Sequence, residues 1–296
     1  MPRKRIGFIC DSTADFPAGL EKDLELHILP VHIMVDGEDH LHGRTISNQE
    51  VVAALKQRQD VYTKPFYPHE CADIFEELLD RCDQVVSFHL STELSGNYNS
   101  AVAALNLMFE DEARRIKVMD LRGVSISMGL VVKKAVELLR EDDNLDTLDA
   151  RLQPYLRELF MGFMVDDLAW LKKGGRVSAF AAFVGTMLDI KPIIRLENAR
   201  LIPKDRMRGK KPALKRLVDM AESQYRRLDG NCDIWVAYND NLEEAMVTRD
   251  HLAARVAWQA GDIYLAEVGA TIAVHTGPGS MCIAMTPKVM HYPNIA

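Results

Sequence analysis

The first 141 residues alternate between two hydrophobic periods, and this alternation restricts the fold more than any other feature of the chain. Short apolar runs occur at 5–10 (RIGFIC), 84–90 (QVVSFHL) and 115–120 (RIKVMD). Between them apolar residues recur at helical spacing, as Ile74, Phe75, Leu78, Leu79 and Cys82 do, and then Tyr98, Ala101, Val102, Leu105 and Phe109. Another helical stretch, 125–141, follows the last run, and Ser47 with Glu50 has the spacing of a capping box. Strands that alternate with helices predict a mostly parallel sheet covered on both faces, a three-layer α/β unit.

The second half is grouped differently. A helix near 147–158 precedes a strand at 159–165, short helical pieces flank Gly174-Gly175, and 191–208 reads as a hairpin. Pro212 stands near the start of a long helix that ends before Gly230. A strand at 233–238, a helix at 241–258 and a strand at 262–269 follow. The last 20 residues before Lys288 carry no Asp, Glu, Lys or Arg. With Gly277-Pro278-Gly279 in their middle, they read as two short buried strands around a turn, not a membrane span. The fold class expected is therefore α/β: an N-terminal three-layer domain with a mostly parallel sheet, residues 1–160, then a C-terminal α+β domain with an antiparallel or mixed sheet, residues 161–296. A chain of 296 residues, 48% hydrophobic, is long enough for two cores.

Net charge is −7, which argues against nucleic-acid binding despite one basic cluster at 204–216. The five cysteines form no C-x-x-C pair, so neither a disulfide scaffold nor a zinc site is expected, and a reducing cytoplasm fits. The N-terminal apolar run is too short for a signal-peptide core. Nucleotide-binding P-loop, dinucleotide-binding and hydrolase-elbow motifs are missing.

Three segments place polar groups where an apolar run ends. STELSGNYNSA (91–101) follows a strand and opens a helix, so its hydroxyls and amides either meet a ligand or cap the helix. CDSTADFP (10–17) does the same after the first strand; Asp11 and Asp15 there support an alternative, a phosphotransferase or hydrolase, or else plain turn chemistry. VHTGPGSM (274–281) sets His275 and Thr276 at the end of an expected buried strand. HLHGR (40–44) reads as an exposed loop with no third metal ligand nearby. SAFAAFVGTML (178–188), after KKGGRVS, is apolar on all sides and fits a core helix or the wall of an apolar cavity.

Taken in order, DSTADFP, TKPFYP (63–68), STELSGNYNSA, GGRVSAFAAFVGTMLDIKPII, RMRGKKPALKRL and HTGPGSMCIAM resemble the DegV family from about residue 5 to residue 286. The resemblance implies a lipid-binding protein and not an enzyme. Its expected ligand is a long-chain fatty acid, held between the domains and presented to a separate fatty acid kinase for acyl-phosphate formation. It implies no cofactor on this chain, with ATP and Mg²⁺ on the kinase, no metal site, no transmembrane segment, and at most transient membrane contact. By motif, Thr63, Ser95 and His275 resemble the carboxyl-binding groups, with Ser91, Thr92, Gly96 and Thr276 beside them. Arg176 resembles the basic residue at the ligand mouth, where the kinase docks, and Arg206, Arg208 and Lys210 extend that face. One departure stands out: the family reads close to T-S-Q-P-S-P where this chain has Thr63-Lys64-Pro65-Phe66-Tyr67-Pro68, which predicts a bulkier wall beside Thr63.

Overall fold

The computed structural model describes residues 4–176 and 189–289. Its first sheet has the order β2-β1-β6-β7 and is parallel throughout: β1 (Ile6–Asp11), β2 (Leu26–Leu29), β6 (Gln84–His89) and β7 (Ile116–Asp120). Alternate residues of each strand go to opposite faces. Ile9 and Val85 pack under α3 (Pro68–Leu79) and α4 (Asn97–Leu105), whereas Phe8, Cys10, Val86 and Phe88 face α6 (Ser125–Glu141).

The second sheet has six strands in the order β10-β9-β8-β13-β11-β12. They are β8 (Phe160–Met164), β9 (Ile190–Glu197), β10 (Arg200–Arg208), β11 (Cys232–Tyr238), β12 (Tyr264–Glu267) and β13 (Met281–Pro287). All its pairings are antiparallel except β11 with β12. Phe160, Ile234 and Ile283 pack under α9 (Lys210–Arg227) and α10 (Leu242–Val256), while Phe163, Trp235 and Ala284 face α6 and α7 (Leu145–Glu158). The mixed α/β class expected from the sequence is the one observed. The molecule is a stack of five layers, in which α6 and α7 serve both sheets. That explains why α6 buries 13 of its 17 residues: a helix pressed from two sides keeps almost no wet face.

A third, small sheet, β4-β3-β5, lay outside the periodicities read above. It consists of β3 (His32–Val35), β4 (Glu38–Leu41) and β5 (Val61–Lys64), all antiparallel. Its apolar face, with Ile33 and Val61, packs on α2 (Asn48–Lys56) and α11 (Ala270–Thr276). The capping box predicted at Ser47 and Glu50 is formed.

Two expectations need correction. Residues 270–276 are helix α11, not a strand. The β-branched residues of TIAVHT suit a strand, but Ala270 to Val274 are buried consecutively, so no period of two or of 3.6 is visible. The signals that mark the helix are Gly269 before it and Gly277, at φ 69°, after it. Residues 40–44 are not wholly an exposed loop, since His40 lies on β4 and His42 packs against α11. The apolar segment 178–188 lies outside the described residues.

Gly129 is the close point of the central layer. A Cβ there would fall inside contact distance of the Asp15 carbonyl oxygen and 2.8 Å from the Trp235 ring. Gly129→Ala is therefore expected to destabilise the protein by about 1–3 kcal/mol through overpacking, despite the better helix propensity of alanine. Urea unfolding measures it, and unchanged or raised stability would show that the two sheets are not held this close.

Candidate functional site

A cleft of about 910 Å³, counting its open mouth, runs between the loops of the first sheet and the face of the second. Its walls are mainly apolar: Leu90 and Leu94 come from the β6–α4 segment, Met161 and Phe163 from β8, and Leu171 from α8 (Leu168–Gly174). Thr63, Ser95, Arg176 and His275 supply polar groups to the same cleft, from four separate elements.

Thr63 lies on β5, an edge strand of the small sheet, and β5 packs against α11. The Thr63 hydroxyl is 2.9 Å from His275 Nε2. His275 Nδ1 is buried without a hydrogen-bond partner. Burial, aided by the nearby Arg176 guanidinium, pushes the His275 pKa down to about 4, so the ring is neutral at pH 7. A neutral imidazole has one N–H. Placed on Nε2 it donates to Thr63, which leaves the threonine proton free for a third group and Nδ1 as an unprotonated acceptor. Gly174 permits this approach, because a Cβ there would stand 2.7 Å from Nδ1. Arg176 is held by the carbonyls of Gly174, at 2.7 Å, and Leu94, at 3.3 Å.

Ser95 precedes α4, whose N-cap residue is Gly96 with no side-chain cap. The Ser95 hydroxyl donates to Asn97 Oδ1 at 3.1 Å and still lines the cleft beside the positive end of the helix. Gly96 lies beside Pro65, which a Cβ there would meet at an ordinary contact distance of 3.4 Å. Thr276 also lines the cleft, with its hydroxyl donating to the Ile272 carbonyl. Ser91 and Thr92 are turned elsewhere: Ser91 donates to the Ala199 carbonyl at 2.8 Å, and Thr92 to Asp120 at 2.8 Å. Arg206 and Arg208 are exposed on β10, and Lys210 pairs with Glu244 at 2.6 Å.

The bulky residues after Thr63 divide between environments. Lys64 and Pro65 line the cleft, Phe66 is buried in the core under α3 and 5.6 Å from the His89 ring, and Tyr67 is exposed. Cleft residues not nominated individually include Thr13, within the 10–17 segment, and Ser125, which no local pattern announced. Ser125 opens α6 at φ 55°, a region costly for a non-glycine residue, and its amide donates to the Thr13 carbonyl.

Asp11 and Asp15 are fully occupied. Asp11 accepts from Thr13, from the Leu90 amide and from His89, which in turn contacts Ser87 at 2.8 Å. This Ser87–His89–Asp11 chain has the order of a hydrolytic triad, but all three residues are at 0% exposure inside the parallel sheet, where no substrate reaches. Burial works against the charge on Asp11, yet the His89 ring and Thr13 overcome it and hold its pKa below the usual range. Asp15 accepts from Ser125 and the Gly269 amide, and burial raises its pKa to about 7 with Glu267 adding to the rise. His42 accepts from the Ala270 amide and contacts Thr271 at 2.9 Å, and burial lowers its pKa to about 4. Among the described residues no three His, Cys, Asp or Glu side chains cluster closely enough to hold a metal ion, and no helix is long and apolar enough to cross a membrane.

Residues 5–288 match a family model described as "Uncharacterised protein, DegV family". The chain belongs to the DegV family. A DegV domain-containing protein of Streptomyces coelicolor is 28% identical over 286 residues, covering 96% of this chain and 99% of that one. A DegV family protein from Thermus thermophilus, solved in a study of its fatty acid binding, superposes with a TM-score of 0.85 at 28% identity, over 96% of this chain and 99% of that one. DegV of Bacillus subtilis, described as a fatty acid binding protein, gives a TM-score of 0.83 at 26% identity over 96% and 100%.

In this DegV protein the pH response of Asp15 has a definite sign. Its carboxyl is raised from an unfolded value near 3.8 to about 7 in the fold. Between those values the folded protein keeps a proton that the unfolded chain loses, so the stability this group contributes falls as pH rises through the window. His42 and His275, both lowered, act in the opposite sense. The stability difference between wild type and Asp15→Asn is therefore expected to shift against wild type from pH 4.5 to 7.5, as read by urea unfolding. Parallel curves would exclude a raised Asp15.

Proposed function

We propose that this protein binds a long-chain fatty acid, with the tail along the apolar cleft and the carboxyl group among Thr63, Ser95, His275 and Arg176, and presents it to a separate kinase. The observation that carries the reading is the Thr63–His275 contact at 2.9 Å in the wall of a mainly apolar cleft. Two relatives above 25% identity, described as fatty-acid-binding, support the ligand class. The balance of forces agrees. About 14 methylenes at about 0.8 kcal/mol each give roughly 11 kcal/mol of gross burial energy. Part of that is offset by lost motion. An unpaired carboxylate would cost several kcal/mol, whereas hydrogen bonds to it contribute about 1.5–3 kcal/mol each.

The chain's own groups then bind and orient only. The neutral His275 holds Thr63 in place, the Thr63 hydroxyl donates to the carboxylate, the Ser95 hydroxyl does so on turning away from Asn97, and Arg176 supplies positive charge at the exposed rim. Phosphoryl transfer belongs to the kinase, which brings ATP and Mg²⁺, and no cofactor is needed here. Arg176, Arg206, Arg208 and Lys210 form the docking face in this reading. Five free cysteines fit a reducing, cytoplasmic setting.

Organic extracts of the purified protein, analysed by mass spectrometry, should contain a fatty acid. Ser95→Ala combined with His275→Ala should weaken acyl binding at least about tenfold while leaving the melting of the empty protein nearly unchanged. Failure to recover or load any acyl chain onto folded protein would defeat the reading. A large loss of empty-protein stability would mark these residues as core.

A further inference from the structure

A second cavity, sharing no lining residue with the cleft, is walled by four arginines: Arg122, Arg157, Arg195 and Arg227. They converge from the loop after β7, the end of α7, strand β9 and the end of α9. In a chain of net charge −7 this is a marked local reversal. One carboxylate, Glu197, lines the same cavity, and it is already paired with Lys204 at 2.6 Å. Arg227 rests against Glu158.

Arg195 is the decisive residue. Its guanidinium lies 4.5 Å from the centre of the Phe160 ring, and its Nε is buried with no hydrogen-bond partner. A buried donor left unpaired costs about 1–3 kcal/mol, more when charged, so such a group calls for a missing acceptor. Burial lowers the Arg195 pKa; the Glu197 carboxylate offsets part of this and the neighbouring Arg227 adds to it, so the positive charge is only partly balanced. Several guanidiniums around one space match a multivalent oxyanion better than a single carboxylate, because each fork takes two oxygens. Leu156, Leu159 and Leu196 add apolar wall beside them, which suits an ester with an organic part.

We propose that this cavity binds a phosphate-bearing organic anion, its phosphoryl oxygens shared among Arg122, Arg157 and Arg195. The site is independent of the fatty-acid reading and would stand if that reading failed. The phosphoryl group belongs either to a soluble metabolite or to a lipid headgroup, and the test separates them.

Titration calorimetry with sodium pyrophosphate in low-salt chloride buffer probes the soluble arm. Co-sedimentation with phosphatidylcholine vesicles carrying phosphatidic acid, against pure phosphatidylcholine, probes the lipid arm. The double variant Arg122→Gln with Arg157→Gln changes only exposed side chains, so it should fold, and its loading with fatty acid should match wild type. Binding in either arm is expected to fall at least about tenfold in this variant and to weaken as chloride rises. Pyrophosphate binding lost in the variant supports the soluble source; vesicle retention lost in the variant, without pyrophosphate binding, supports the headgroup. Absence of binding in both arms, or binding that the variant leaves intact, overturns the site.

Discussion

Two sheets share one helical layer, and the rest of the structure depends on that shared burial. Helix α6 cannot be amphipathic in the usual sense, because Phe8 and Phe88 press on it from one sheet and Trp235 and Ala284 from the other. Burying it twice keeps the carboxyl ends of the parallel strands at a constant distance from β8 and β13. The cleft is the space left where this packing ends: Ser125, the first residue of α6, is at once part of its wall and the anchor of Asp15.

The polar groups of the cleft are assembled from parts distant in the chain. Thr63 and His275 are 212 residues apart and meet only because α11 packs on both β5 and α2. The contact is built from neutral groups. A histidine kept uncharged by burial can be enclosed at little cost. Ser87, His89 and Asp11 illustrate the opposite case, in which similar chemistry is sealed into a core and stabilises the strand ends without access to any substrate.

The parallel sheet and its outer helices were legible because β1 and β6 read as short continuous apolar runs whereas α3 and α4 keep a helical stripe, so the two patterns stay distinct. The hairpin of β9 and β10 was legible for the same reason. Helix α11 was not, since burial on every side erases periodicity, and its β-branched residues point toward a strand. The small sheet escaped because β3, β4 and β5 are only four residues each, too short to establish alternation. Of the groups nominated for the site, Thr63, Ser95, Arg176, His275 and Thr276 share one cleft, whereas Ser91 and Thr92 are spent on Ala199 and Asp120. Local sequence marks a hydroxyl but not its partner, and both partners come from other segments. The four arginines around Arg195 belong to no common motif and converge only in three dimensions.

Met161 and Met281 both line the cleft, and both are almost wholly enclosed. A thioether chain is unbranched and turns easily, so a wall made partly of it can re-form around a guest. Branched walls sort guests by outline, whereas compliant ones sort them chiefly by reach. If the guest is an acyl tail, the wall can yield to it at these two places, while Leu90, Leu94, Phe163 and Leu171 hold a fixed outline elsewhere.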